Sequence, residues 1–458
     1  YAYDSNFGRL KSHELPGLVT TYAAYGPRGH LVEEGNAVGF VAYGSVQNRY
    51  YRKVTAMNAA GEVTESLLGN RATGASTYAP AMVRTQSVDE GTGRLRSICV
   101  RLSGDVANCS APASSMTATN KIADIAYWYD VYDNLTQTQD VGLHLTPLGA
   151  PAATKLRETY AYDPLFRLTT VARGGDSAGD VTSHAYDAIG NLKKKTDFST
   201  DSDAAYVYST AGKPYAVSRV SRPGGSAADV SYVYDANGNL TKRQNYPTGY
   251  ATTIHYDIDN RPRALGWSDT AQGATFSHRP DGSRYLQVQR LTANMVPTEL
   301  VYSGKSYERE VGSAGVFERY YLPGGALLVK QNGLSTVSYL HGDRLGSITV
   351  VTDADGTVIE QRGFDPFGKP RDGNDWGNTG DNALNTQPTN APRNRRGFTT
   401  HEHLDSFRLI HMNGRMFDFN IGRFYGVDPV IQFPENSQSL NPYSYILNNP
   451  LAGTDPTG

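Results

Sequence analysis

The stretch Tyr232-Val233-Tyr234-Asp235-Ala236-Asn237-Gly238-Asn239-Leu240 decides the fold. Its first residues alternate as a strand does, which sets Tyr232 and Tyr234 on one face. Asp235 is the residue type whose carboxylate caps the backbone of a turn. Asn237-Gly238 tolerates positive φ and suits a tight hairpin connection. Leu240 then opens a returning strand. One such unit is therefore strand, turn, strand.

The unit recurs. Tyr160-Ala161-Tyr162-Asp163, Tyr186-Asp187-Ala188-Ile189-Gly190-Asn191-Leu192, Tyr206-Val207-Tyr208-Ser209 and His255-Tyr256-Asp257-Ile258-Asp259-Asn260 repeat it, with tyrosines at 162, 186, 208, 234 and 256. Degenerate copies begin at Tyr3-Asp4, Tyr25-Gly26, Asp89 and Tyr129-Asp130. Units of about two dozen residues that cannot bury their own apolar face must stack on neighbours. A lone hairpin is marginal in water, so the stack predicts one long antiparallel sheet, and no helical periodicity competes with it. The chain reads as all-β. Tyrosine adds apolar area and keeps a hydroxyl for a partner, so the tyrosine ladder reads as wall packing and not as a sugar-binding surface.

Downstream, Ser347–Thr352 and Thr357–Glu360 flank an Asp-Gly turn and form a clean hairpin. Residues 371–396 are rich in Asn, Gly, Thr and Pro and read as a surface loop. Beyond it lies a motif-dense segment from Gly397 to Gly458. Lys193-Lys194-Lys195 reads as a solvated strand face.

Composition narrows the classes. The 43 basic and 45 acidic residues leave a charge of −2, which argues against a nucleic-acid partner or a polybasic membrane anchor. No apolar run approaches the ~18 residues of a membrane helix. The opening Tyr1-Ala2-Tyr3-Asp4 lacks the regions of a signal peptide and reads as mid-repeat sequence, hence as part of a longer chain. Cys99 and Cys109 are compatible with a hairpin disulfide or with two buried thiols, and there is no Cys-x-x-Cys pair. No Gly-rich phosphate loop or nucleophile elbow is present.

One set of residues points to chemistry. Asp418 and Asp428 stand ten positions apart, and Asp455 belongs to the closing Asp455-Pro456-Thr457-Gly458. Two carboxyls sharing a site split their protonation, so one can take a proton from water while the other gives one up. Arg415 or Arg423 can hold one of them ionised through a forked hydrogen bond. The plainer reading is that these aspartates cap turns before Pro and Gly. His401-Glu402-His403, with His411 nearby, puts two histidines on one side of a strand as metal ligands would lie, but no third ligand has a fixed spacing. No metal and no cofactor are expected.

These motifs resemble the RHS/YD-repeat family of bacterial polymorphic toxins and toxin-complex shells. Tyr-Asp-x-x-Gly-Asn-Leu stands intact at 186–192 and 234–240. Tyr339–Ser347, Phe364-Asp365-Pro366-Phe367-Gly368, Gly397–Glu402, Arg415-Met416-Phe417-Asp418, Ile421-Gly422-Arg423-Phe424, Asp428-Pro429, Asn448-Asn449-Pro450 and Asp455–Gly458 are similar to the RHS-repeat-associated core domain.

The resemblance implies a ribbon of β-hairpins spiralling into a hollow shell (residues 1–330), closed by a core domain (331–458) that carries a self-cleavage motif. It implies that the shell encloses a toxic domain encoded after the motif, which usually reads Asp-Pro-x-Gly-Leu and is cut near its end. Pro456, Thr457 and Gly458 would then lie next to the cut bond. Asp428, Asp418 and Asp455, with Arg415 and Arg423, would supply a single-turnover aspartyl autoprotease. Implied partners are the chain's own C-terminal toxin, a secretion-machine or N-terminal plug component, and an immunity protein. The implied setting is secretion by a type VI or toxin-complex route. The competing function is an extracellular adhesion or wall-associated module without a payload. A variable cytotoxic domain encoded after Gly458 would favour the first function, and an anchor or stop codon there the second.

Overall fold

A computed structural model describes the chain except residues 4–6, 17–18, 28, 37–49, 70, 73–77, 104–120, 141–155, 175–179, 246–251, 268–271, 292–295, 374–375 and 377–393. Among the described residues nearly everything regular is antiparallel strand, and helix is confined to short 3-10 turns. Two long sheets dominate. One has 14 strands, from Ala2–Tyr3 to Leu192–Lys195, and the other has 16, from Tyr206–Val207 to Pro370–Asp372. In the second every strand pairs with its chain neighbour, so the sheet is an uninterrupted meander.

The repeat chemistry explains the turns. In the 232–240 unit, Asp235 Oδ1 accepts the Asn239 amide at 2.8 Å, and Asn239 Nδ2 donates to Asp235 Oδ2 at 3.2 Å. Asp187 holds Ile189 and Asn191 in the same way, and Asp130 holds Tyr132 and Asn134. The third residue after each Asp takes positive φ: Gly190 and Gly238 do, and so do Asp133, Phe166 and Asn260 in their copies. The leucine that opens each returning strand is buried, at Leu135, Leu168, Leu192 and Leu240. Tyr232 and Tyr234 both face the cluster around Leu240, while Val233 between them is exposed, as the alternation predicts.

The tyrosines latch one repeat to the one before. Tyr162 donates to the Leu135 carbonyl (2.7 Å), Tyr186 to Leu168 (2.9 Å), Tyr208 to Leu192 (2.8 Å) and Tyr256 to Leu240 (2.9 Å). Each phenol thus satisfies a carbonyl beside a turn while its ring fills the core. Tyr234 instead meets Tyr443 edge-on at 5.9 Å.

The two sheets share a core in which Tyr51, Leu68, Met82, Val100 and Ile122 of the first meet Tyr307, Tyr320, Leu328, Tyr339 and Val350 of the second. Elsewhere both close on a separate four-stranded sheet: Glu402–Leu404, Leu409–Met412, Arg415–Asp418 and Arg423–Phe424. Leu404, Phe407, Leu409 and Met416 pack against the repeat leucines. Phe367, Ile410, Phe417 and Phe424 pack against Leu168 and Val171. The second long sheet runs through the hairpin joining Ala326–Gln331 to Leu334–Gly342 without a break, so residues 331–372 supply its last strands.

Lys193-Lys194-Lys195 departs from the expected solvated face. The burial does not follow strict alternation: Lys193 and Lys194 reach the outer acids Asp203 and Asp201, while Lys195, at the end of the strand, is fully buried between Asp197 (2.6 Å) and Asp365 (3.0 Å). Lys369 completes the network on Asp197 at 3.1 Å. Asp365 belongs to the Phe364–Gly368 motif, which this ion pair ties to the repeat. Cys99 is disulfide-bonded; Cys109 lies outside the described residues.

Gly238 gives a direct test of the turn. It sits at φ +88°, and a Cβ there would lie 2.7 Å from Val427 Cγ2 and 2.9 Å from the Tyr443 hydroxyl. Gly238→Val is expected to lower stability by ~1–3 kcal/mol from backbone strain alone, with the steric clash adding to it. Thermal melts measure this; an unchanged midpoint would refute the turn assignment.

Candidate active site

The site forms where the chain's last residues return to the four-stranded sheet. Strands Leu409–Met412 and Arg415–Asp418 are joined by a tight turn, and the tail lies on it. Gly414 N–H donates to the Thr457 carbonyl at 2.7 Å, and Asn413 Nδ2 donates to the Pro456 carbonyl at 2.8 Å. The contact is backbone to backbone: a Cβ on Gly458 would fall 1.8 Å from the Met412 carbonyl oxygen, and one on Gly414 would fall 2.7 Å from the Gly458 oxygen. Gly458 also takes φ +80°. Glycine is therefore required at 458 on two counts, conformation and space.

Arg415 gathers two of the three expected aspartates. Its Nη2 donates to Asp428 Oδ2 at 3.0 Å and to Asp455 Oδ2 at 3.2 Å, and its Nη1 donates to the Pro442 carbonyl at 3.1 Å. The guanidinium carbon lies 3.8 Å from the centroid of the Phe424 ring, which fixes its plane. Burial lowers the arginine's pKa, and the two carboxylates oppose that shift; arginine nonetheless stays charged. The remaining oxygens do the capping that the plainer reading expected. Asp428 Oδ1 accepts the Val430 amide at 2.9 Å, and Asp455 Oδ1 accepts the Gly458 amide at 2.9 Å. Each aspartate thus both caps a turn and meets the shared cation.

Asp418 lies elsewhere. It follows Arg415 by three residues on one strand, so the two side chains leave opposite faces. Asp418 is fully buried, accepting from the Tyr425 hydroxyl at 2.6 Å, Arg243 Nη1 at 3.4 Å and the Asn420 amide at 2.9 Å. Arg243 also donates to the Phe407 carbonyl. This network fastens the four-stranded sheet to the repeat strand Leu240–Gln244.

Arg423 is likewise a clasp. It donates to Asn448 Oδ1 at 2.7 Å and to the Gly190 carbonyl at 3.2 Å. The Gly190 carbonyl also receives Asn448 Nδ2 (3.0 Å) and Asn441 Nδ2 (3.1 Å). Asn449 Nδ2 reaches Asn134 Oδ1 at 3.1 Å, and the Tyr443 hydroxyl reaches the Gly238 carbonyl at 2.6 Å. The C-terminal asparagines therefore dock on repeat turns. Only the unabsorbed Asn448-Asn449-Pro450 motif hinted at this in the sequence.

The histidine stretch forms no ligand set. Glu402 is engaged by Arg284 and by the Tyr302 hydroxyl, His401 Nδ1 pairs with Thr399 Oγ1 at 2.8 Å, and His403 Nε2 accepts the Phe398 amide at 3.1 Å. Among the described residues no group of three His, Cys, Asp or Glu side chains is arranged to hold a metal ion, and no helix is long and apolar enough to cross a membrane.

Among known proteins, no family profile and no curated sequence matches the chain. Solved structures do. The TcdB2–TccC3 crystal structure aligns over 100% of this chain and 27% of its own, at 14% identity and a TM-score of 0.41. The form without the hypervariable C-terminal region aligns over 99% and 27%, at 14% and 0.42. A Photorhabdus luminescens Tc holotoxin pore aligns over 98% and 26%, at 13% and 0.42. The chain spans about a quarter of the length of those chains.

Proposed function

We propose that this chain is the closing part of a toxin-encapsulating shell of the RHS/YD-repeat type and that it releases its payload from the chain by one self-cleavage. The observation that carries the reading is the placement of Asp455-Pro456-Thr457-Gly458 against the Arg415 guanidinium that also holds Asp428. A motif of that sequence beside paired carboxylates is what a tethered hydrolysis requires. The bond needs no binding step, because the chain itself holds it in place.

In this reading Asp428 and Asp455 are the working pair, and Arg415 shares its charge between them. One carboxylate takes a proton from water as the water oxygen attacks the carbonyl carbon after Gly458 or one residue later. The other, protonated, gives its proton to the carbonyl oxygen. Collapse of the resulting diol breaks the C–N bond: the nitrogen takes the first proton, one hydroxyl returns the second to the carboxylate that gave it, and a carboxylic acid and an amine result. Asp418 and Arg423 act by holding the four-stranded sheet to the ribbon. In this reading the core domain runs from 331, with 331–372 shared between ribbon and core.

The proposal extends to a payload held within the ribbon, an immunity partner and secretion through a type VI or toxin-complex route. A fusion in which Gly458 is followed by Leu and a folded reporter tests encapsulation. After cleavage the reporter should co-elute with the shell and resist protease that digests it when free. A reporter that elutes separately or is digested at the free rate would oppose a container.

A further inference from the structure

Pro456 and Thr457 are exposed through their side chains, yet both carbonyls are gripped. The grip comes from one turn, Met412–Arg415, built for it in three respects. Asn413 stands at φ +67°, a conformation Asn tolerates better than most residues, and this aims its amide at the Pro456 carbonyl. The Asn413 amide N–H donates to His411 Nδ1 at 3.1 Å, which fixes the turn from beneath. Gly414, with no side chain, lets the Thr457 carbonyl approach its N–H to 2.7 Å. Because the hold is on backbone, it reads position along the chain and ignores the side chain at 457. The next strand residue after the turn is Arg415 itself, so the same few residues fix both the tail and the charge pair.

We propose that the Met412–Arg415 turn is a register-setting cradle, in which Asn413 is a positioning residue that decides which peptide bond lies beside Asp428 and Asp455. This rests on the self-cleavage reading for its purpose, but the grip itself can be measured without it.

Asn413→Gly separates the two things Asn413 does: it keeps the positive φ and removes the amide. In the 458-residue chain it should leave the melting temperature nearly unchanged while the Gly414 amide exchanges with deuterium at least tenfold faster. In the Leu-led fusion it should slow cleavage by about tenfold to a hundredfold, the scale of a small misplacement of a reacting bond. Intact mass should then show ends at more than one bond, where the parent shows one. Asn413→Asp, which sets an acceptor against the Pro456 carbonyl, should do more of both. Cleavage of Asn413→Gly at the same single bond and the same rate would overturn the cradle while leaving the cleavage reading intact. If the parent fusion is not cut at all, the cleavage reading fails, and the exchange rate alone then decides: unchanged exchange at Gly414 removes the grip as well.

Discussion

Replacing Lys195 with Met is expected to destabilise the protein by about 3–5 kcal/mol, the scale for removing one member of a buried ion pair. Lys195 is fully buried with Asp197 and Asp365, and Lys369 reaches only Asp197. The network balances two cations against two anions; without Lys195 a buried carboxylate is left unmatched. Asp365 cannot relax away, since its other oxygen caps the Phe367 and Lys369 amides. Asp365→Asn keeps that cap and removes the charge. The double variant Lys195→Met with Asp365→Asn should therefore recover more than ~1 kcal/mol of the single loss. Urea unfolding measures both. A Lys195→Met midpoint within error of the parent would show that the pair contributes nothing.

Acid should unfold the protein well before its carboxylates titrate. Burial lowers His184 and His401 to about 4 and His341 and His403 to about 3. His403 cannot accept a proton at Nε2 without losing the Phe398 amide, and His341 Nε2 shares a hydrogen bond with Thr352 Oγ1 at 3.0 Å. For histidines lowered in the folded state, the unfolded chain binds protons first. Their full contribution is present above pH 6.5 and is lost as pH falls from there toward 4 for His184 and His401 and toward 3 for His341 and His403. Each forfeits about 1.4 kcal/mol per pH unit in that window. By pH 5 that is roughly 2 kcal/mol for each, and the four together rival the 5–15 kcal/mol of a whole domain. Melting temperatures at pH 7.5, 6 and 5 should fall ever more steeply, and His341→Gln should flatten the slope. A melting temperature constant from pH 7 to 5 would contradict this.

The repeat was legible because its chemistry is local. Asp, Gly and Asn within five residues specify the turn, and alternation of Tyr with Val specifies the face, so 232–240 predicts its own hairpin. The tyrosine hydroxyl's need for a partner was readable, but its choice of the preceding repeat's leucine carbonyl depends on how strands stagger. Lys195 escapes a reading from sequence because period two groups it with Lys193, which reaches outward, and nothing local marks the approach of Asp365 from 170 residues away. Residue types marked the aspartates, but only strand geometry separates Asp418 from the pair on Arg415. The asparagine clasp joins residues more than 250 positions apart, so the Asn448-Asn449-Pro450 motif is visible in the sequence but its partners are not.

The central claim is that Asp428, held with Asp455 on Arg415 beside the closing motif, drives a single cut of the chain. The most direct test is a denaturing gel beside size exclusion for the Leu-led fusion and its Asp428→Asn variant. An amide cannot act as the base but fills the same space and can still accept the Val430 amide. The parent should give two bands from one chromatographic peak, and the variant should give one band from a peak at the same position. A variant cut at the same bond as the parent would contradict the account.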